Sequence, residues 1–426
     1  MHTPPATLAQ KLLARAAGRD SVAVGDAVEC DFDFVLLDDA SVAERLAPLF
    51  GARRVREPGR VALALDHHGL EATAKSRATA QTARDWAASM GVAQVIDGLG
   101  IGHVVAPQAG KVRPGMLCLG SDTRAPTAGA FGAYAVAIAP ANLVDALASG
   151  RIALEVPGTV FMRWTGRLTC GVAAKDMMLA MLERFGAETL RGRAIEFCGE
   201  AVAALSMAER MTLTNMASDL GARTGLVAPD DITRGWLEAV GADSEELGLV
   251  RWRSDEDAPG LRHHLDASTL APQVALQGLG THDQAQVRAV ADLPPTRIDV
   301  AYIGACTGAK LDDLRAAARV LAGYRIADGV RLLVAPASAA DRDAAEREGI
   351  LRRLVEAGAT LLPASCGACA GLGAHIAEGA TVVSSTACNQ PGRLGGASAQ
   401  VYLASPYTVA ASALTGRLND ARAVLA

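Results

Sequence analysis

The stretch "RIDVAYIGACTGAKLDDLRAAARVLAG", residues 297–323, decides the fold class. Its first part, "RIDVAYIGA" (297–305), is an apolar run of strand length and predicts a buried strand. Its last part, "KLDDLRAAARVLAG" (310–323), places Leu311, Leu314, Ala318 and Leu321 on one helical face. The alternation continues with "VRLLVAPAS" (330–338) as a strand, "AADRDAAEREGILRRLVEAGA" (339–359) as a helix and "TLLPA" (360–364) as a third strand. Strands joined by helices imply crossover connections and a largely parallel sheet, so the chain from the 290s onward reads as one α/β domain.

The third strand leads into "ASCGACAG" (364–371), which holds two of the eight cysteines, at 30, 118, 170, 198, 306, 366, 369 and 388. Their spacing suggests no disulfide framework, and most read as small buried hydrophobes in a reducing compartment. A C-x-x-C pair alone fits a thioredoxin-like redox pair, half a zinc site completed by Cys388 or His375, or part of an iron–sulfur anchor. Cys306, in "YIGACTG", occupies the analogous turn between strand and helix, where a thiolate meets free backbone amides and the positive end of the helix dipole. Three cysteines at strand ends of one α/β domain can converge.

Length and composition set wider bounds. With 426 residues, half of them hydrophobic, the chain has material for three domains of ~150 residues. Aromatics at 4% with abundant Gly and Ala suit packed helices and glycine-rich loops better than a β-sandwich. The net charge of -5 is spread without a long basic run, which argues against nucleic acid as a partner. The N-terminus has no signal-peptide pattern and no segment reaches the ~18 apolar residues that cross a bilayer, so a soluble cytoplasmic protein without a membrane partner is expected.

Upstream, "CLGSDTRAPTAGAFGAYAVAI" (118–138) reads as a glycine-punctuated loop entering a helix of small residues, and "AERMTLTNMASDLGARTGLVAPDD" (208–231) as a helix ending near Gly221. Both look like places where backbone approaches something closely. The polar stretch "VRWRSDEDAPGLRHHLDAS" (250–268) reads as an irregular domain junction, and no internal repeat stands out.

Taken together the motifs resemble the aconitase superfamily, and within it the large subunits of 3-isopropylmalate dehydratase. The resemblance runs from Thr7 to the end through "TLAQKLLARAAG", "LDHHG" (65–69), "GIGHVV" (100–105), "SDTRAPTAGAFGA" (121–133), "GVAAKD" (171–176), "MTLTNMASDLGA" (211–222), "YIGACTGAKLDDLRAAA", "CGAC" (366–369) and "YLASPYTVAASALTGRLND". It implies three aconitase-like α/β domains, 1–157, 158–270 and 271–426, with parallel or mixed sheets flanked by helices. The third would carry the cysteines, with the cluster at the domain interface.

The resemblance further implies that Cys306, Cys366 and Cys369 hold a [4Fe-4S] cluster with one iron left open. Such an iron makes hydroxide a feasible leaving group from a small hydroxy-dicarboxylate. Asp66 and His67 match the proton donor, a pairing that orients imidazole and raises its basicity. His103, Asp122 and Asp219 match further active-site positions, and Thr123, Asn215, Asn389, Gln390 and Arg393 substrate positions. The implied activity is a hydro-lyase interconverting 2- and 3-isopropylmalate in leucine biosynthesis. Alternatives are a hydratase of a methylated malate, maleate-like or specialised acid, a non-catalytic cluster-binding regulator, and a zinc or dithiol protein.

Four positions depart from the family pattern. Arg124 stands where an Asp-Ser-His triplet has histidine, Gln390 stands at an arginine position in a shortened "NQPGR" loop, Asp219 replaces a common glutamate, and Gly308 replaces an asparagine. Arg124 is expected to clamp a substrate carboxylate in a bidentate pair. Single-chain aconitases continue into a swivel domain carrying the base that removes the carbon-bound proton. No such domain is recognised here, so a separate small swivel-domain subunit is expected.

Overall fold

The computed structural model describes residues 4–68, 73–187, 189–242, 248–276, 286–366, 369, 376–390 and 392–425. The chain folds into two compact units. The first comprises Met1–Asp97, Val105–Trp164 and Leu190–Leu265, and the second Gly98–Val104, Thr165–Thr189 and Asp266–Ala426. Three larger sheets and one antiparallel pair, β1 (Ala27–Asp31) with β7 (Arg151–Glu155), make up the β-structure of the described residues.

In the first unit β2 (Phe34–Asp38), β3 (Val61–Leu65), β4 (Gln94–Asp97), β5 (Leu117–Gly120) and β6 (Tyr134–Ala137) form an all-parallel sheet in the order β4-β3-β2-β5-β6. "FVLLD" and "VALAL" are buried at every position, as expected of strands covered on both faces by crossover segments. Leu8, Leu12 and Leu13 of the helix Leu8–Ala16 pack into the same core, and Thr7 with Gln10 forms a capping box that starts that helix. A second sheet, ordered β10-β9-β8-β11, is built from β8 (Thr159–Thr165), β9 (Ala194–Cys198), β10 (Thr224–Val227) and β11 (Leu261–Asp266).

The second unit is organised around β12 (Gln273–Ala275), β13 (Val287–Ala289), β14 (Val300–Ile303), β15 (Arg331–Val334), β16 (Ala359–Leu361), β17 (Thr381–Ser384) and β18 (Gln400–Ala404). Their order is β13-β12-β18-β17-β14-β15-β16, with the last five mutually parallel and β12 and β13 antiparallel at one edge. Strands 297–305, 330–338 and 360–364 expected from sequence are therefore present as the shorter β14, β15 and β16. Strand order along β14–β18 repeats that along β2–β6, with the third strand outermost and the fourth crossing back beside the first. This repeat of topology has no counterpart in a repeated sequence.

Three expectations change. The helix expected over 339–359 is two helices, Ala339–Arg347 and Ile350–Ala357, because Gly349 adopts φ +67 and breaks the ladder. The helix of small residues expected after "SDTR" is a 3₁₀ segment, Ala125–Phe131, ended by Gly132 at φ +73, and "YAVA" continues as strand β6. The polar stretch 250–268 contains β11, and the passage from the first unit to the second falls inside it at Leu265–Asp266. By contrast the 208–231 segment is helical over Met207–Asn215, tightens to 3₁₀ over Met216–Leu220 and stops at Gly221, φ +78. Among the described residues no helix is long and apolar enough to cross a membrane.

The expected close backbone approach is Gly129 against Gly225. A Cβ on Gly129 would lie 1.8 Å from the Gly225 carbonyl oxygen. Gly129→Ala is therefore expected to cost about 2 kcal/mol or more, an overpacking penalty with backbone on the opposing side. Calorimetry should read this as a lowered Tm of the first unit, and an unchanged Tm would contradict the packing described.

Candidate functional site

In each parallel sheet the connections reverse direction between the first strand and the fourth, which opens a crevice at the carboxyl ends of those strands. In the first unit that place lies beyond β2 and β5, with β3 beside them. Asp38 ends β2 and Asp39 opens the helical turn after it, Asp66 and His67 follow β3, and Ser121–Arg124 follow β5. His67 Nδ1 lies 2.7 Å from Asp66 Oδ1 and 3.7 Å from Asp39 Oδ1. The fully buried Asp39 carboxylate accepts the backbone N–H groups of Ala40, His67 and His68, so it fixes the loop that carries the histidine. Ser121 donates to Asp38 at 2.6 Å and ties the β5 loop to β2.

Burial alone disfavours a charged His67, but Asp66, by charge and hydrogen bond, and then Asp38 and Asp122 outweigh it and hold its pKa well above the ordinary imidazole value. Burial and then the neighbouring Asp66 raise the Asp39 carboxyl. The surrounding carboxylates thus favour the imidazolium form of His67, whose Nδ1 is held by Asp66. Asp38 and Asp39 were not singled out from sequence, although "LLDDA" at a strand end was the available signal.

On the other side of the crevice Asp122 accepts the Arg124 backbone N–H at 2.7 Å, and Thr123 Oγ1 is 3.4 Å from the same oxygen. Arg124 Nη1 pairs with Asp219 at 2.7 Å and reaches Ser218 Oγ at 3.4 Å. Asn215 donates to Thr127 Oγ1, which donates to the Arg124 carbonyl, so the 3₁₀ segment and the helix Met207–Asn215 are cross-linked by polar groups. The expected substrate clamp therefore has an internal partner, and the two departures Arg124 and Asp219 meet in one ion pair. A cavity of about 610 Å³ in this unit is lined by Thr123 and Ser218, and by Arg191 and Arg223, two arginines that no motif singles out.

In the second unit the thiols gather at the carboxyl ends of the parallel strands. Cys306 follows β14, Cys366 and Cys369 follow β16, and all three are buried. Cys369 hydrogen-bonds through sulfur with Cys366 and with Cys388; the Cys366 contact, supported by burial, pushes its pKa up to about 12 against the opposing effect of Cys388. His375 lies outside the described residues. Ala305, directly before Cys306, has φ +69 and is the one non-glycine residue with positive φ among the described residues, a strained conformation that an unconstrained loop would relax.

The turn is held by two buried lysines. Lys175, 1% exposed, donates to the carbonyls of Ser385 and Thr386 at 2.5 Å each and to Thr307 Oγ1 at 3.3 Å. Burial brings it down to about 8, while the charges of Asp313, Cys306 and Cys369 act to raise it. Lys310 donates to the Cys306 carbonyl at 2.8 Å and pairs with Asp313 at 3.0 Å. Ser385 Oγ accepts from Gly304 N at 3.0 Å and reaches the Gly308 carbonyl at 3.1 Å. A Cβ at Gly308 would lie 2.3 Å from that hydroxyl oxygen, which explains why glycine occupies the position.

His103 joins this unit through segment 98–104, where Gly100 bridges Ser338 and Ile101 donates to Ala337 beyond β15. Asn389 donates to the carbonyls of Ala275 and Val401, and Arg393 donates to the Cys369 carbonyl, so both brace the thiol loops. Gln390 is half-buried beside them. The eight cysteines form no disulfide.

The histidine electrostatics can be tested in the intact chain. The His67 ring signal should titrate by NMR above the ordinary imidazole range, and Asp66→Asn, which keeps an acceptor and removes the charge, should lower the midpoint. Because the folded pKa is raised, the pair stabilises the fold below the unfolded imidazole pKa, and that contribution is lost as pH rises through the folded value. Equal midpoints in the two proteins would contradict the pairing.

Comparison with known proteins gives a consistent picture. Residues 60–416 match the model of the aconitase family (aconitate hydratase). The "3-isopropylmalate dehydratase large subunit 1" of Methanopyrus kandleri is 36% identical over 98% of this chain and 99% of its own length. The protein of the same name from Pyrococcus furiosus is 35% identical, again over 98% and 99%. The "3-isopropylmalate dehydratase large subunit" of Moorella thermoacetica is 36% identical over 97% of both chains. Among solved structures, Thermococcus kodakaraensis aconitase X in its holo-form superposes with a TM-score of 0.50 at 13% identity over 98% of this chain and 95% of that one, a likeness of fold.

Proposed function

The chain belongs to the aconitase family of hydro-lyases, and on that premise we propose that it is the large subunit of a dehydratase that interconverts 2- and 3-isopropylmalate in leucine biosynthesis. The observation that carries this reading is the end-to-end similarity to relatives named as large subunits of that enzyme. Their name also supports a separate small subunit as partner, which we take to supply the swivel domain and the base for the carbon-bound proton. Eight cysteines outside any disulfide suit a reducing, cytoplasmic setting.

The donor set suits an iron–sulfur group: Cys306, Cys366 and Cys369 are buried soft ligands, and Lys175 and Lys310 would offset thiolate charge. Bound through these three cysteines, a [4Fe-4S] cluster would supply a Lewis-acidic iron for a substrate hydroxyl and carboxylate. His67 keeps Nδ1 on Asp66 and passes a proton from Nε2 to the departing hydroxyl, which leaves as water. Asp39 holds the His67 loop in place during that transfer. In the reverse direction the same imidazole takes the proton back.

The Arg124–Asp219 pair favours a second substrate reading. Two departures from the family pattern that satisfy each other make one coordinated change at the end of β5, which suits a related dicarboxylate such as a methylated malate or a maleate-like acid.

Co-expression with the candidate small subunit and anaerobic assay on a panel of hydroxy-dicarboxylates separates these readings. Interconversion of the isopropylmalates, dependent on both chains and abolished together with visible cluster absorbance by Cys306→Ser, is the expected result. Preferential turnover of another diacid would establish the second reading. No turnover of any diacid by a cluster-loaded heteromer would overturn both.

A further inference from the structure

Cys388 stands outside the three-cysteine anchor yet lies at the same end of the same sheet. It follows β17, which pairs in parallel with β14 at Tyr302 and Ser384, so Cys306 and Cys388 sit beyond the carboxyl ends of neighbouring strands. These are the first and fourth strands of the parallel set, between which the strand order reverses. The two loops are laced together. Gly304 N donates to Ser385 Oγ, Thr307 Oγ1 donates to the Ser385 carbonyl at 3.1 Å, and Lys175 binds both sides at once.

The Cys388 thiol is buried and within hydrogen-bonding contact of the Cys369 thiol, not merely packed among apolar side chains. Its own backbone is fixed, since Thr386 Oγ1 donates to the Cys388 carbonyl at 3.2 Å and accepts from Ser384 Oγ at 2.9 Å. The buried cations Lys175 and Lys310, with Arg393 fastened to the Cys369 carbonyl, provide positive charge on several sides of the thiols.

Resting on the cluster reading above, we propose that Cys388 is a fourth sulfur ligand, able to close the iron that Cys306, Cys366 and Cys369 leave open. In this step the Cys388 S–H bond breaks, the proton leaves to water and a sulfur–iron bond forms, with no change in iron oxidation state. Substrate must displace this thiolate to reach the metal. The closed form protects the cluster from losing its fourth iron, the weakness of a three-thiolate anchor under oxidation. A buried serine or alanine could not do this, because neither offers a soft anionic donor.

The test uses the full chain, reconstituted anaerobically with iron and sulfide, as wild type, Cys388→Ser and Cys388→Ala. Iron and sulfide content of each is measured, and each is then oxidised with ferricyanide and followed by electron paramagnetic resonance and iron analysis. Wild type should retain four irons per chain with little three-iron signal. Both variants, loaded to the same starting content, should lose about one iron and show a several-fold larger three-iron signal. Equal iron loss and equal signal in all three proteins would overturn the fourth-ligand role while leaving the three-cysteine cluster intact. Absence of any cluster in all three would overturn that cluster reading as well, and the two failures are told apart by the starting iron content.

Discussion

The constraint on which both candidate sites depend is the reversal of strand order in each five-stranded parallel set. Because the fourth strand crosses back beside the first, the loops leaving these two strands cannot be bridged by one crossover helix, and polar side chains fill the crevice between them. In the first unit this gathers Asp38, Asp39, Asp66, His67 and Asp122. In the second it brings the loops of Cys306 and Cys388 together under Lys175. The same topology thus carries a histidine–carboxylate cluster in one unit and a group of buried thiols in the other.

Electrostatics in the two crevices run in opposite senses. Around His67 several carboxylates favour an imidazolium despite its burial. Around the cysteines the charge of two buried ammonium groups acts toward thiolate, against the Cys366 contact and the burial that push Cys369 up, and each ammonium has oxygen partners that offset its desolvation. On the function proposed above, His67 would serve as the proton donor and the thiols as the ligands of the cluster. Departures from the family pattern fall where these networks close on themselves. Gly308 makes room for Ser385, and Arg124 and Asp219 neutralise each other.

Local sequence was enough for the features that local sequence controls. The apolar runs of β14 and β15, the helix Leu311–Val320 and the helix ending at Gly221 are legible because apolar spacing and glycine act over a few residues. Motifs such as "LDHHG" and "CGAC" acquired a reading only through the family resemblance, and the structure places Asp66 and His67 beyond β3 and Cys366 and Cys369 beyond β16. Pairing was not legible. Asp39 as an anchor for the His67 loop, Lys175 as a pin between Thr307 and Thr386, and Arg124 on Asp219 all join residues 28 to more than 200 positions apart. Such contacts follow from strand order, which periodicity does not encode. "YAVA" was misread for a related reason, since its small residues suit a helix until β5 offers it a parallel partner.

The claim that the thiols of the second unit hold an iron–sulfur cluster is tested most directly by native mass spectrometry of the anaerobically purified chain. The account predicts one species heavier than the apo-chain by a single four-iron, four-sulfide cluster, reverting to apo mass in Cys306→Ser. A mass increment of one zinc ion per chain, unchanged by that substitution, would contradict it.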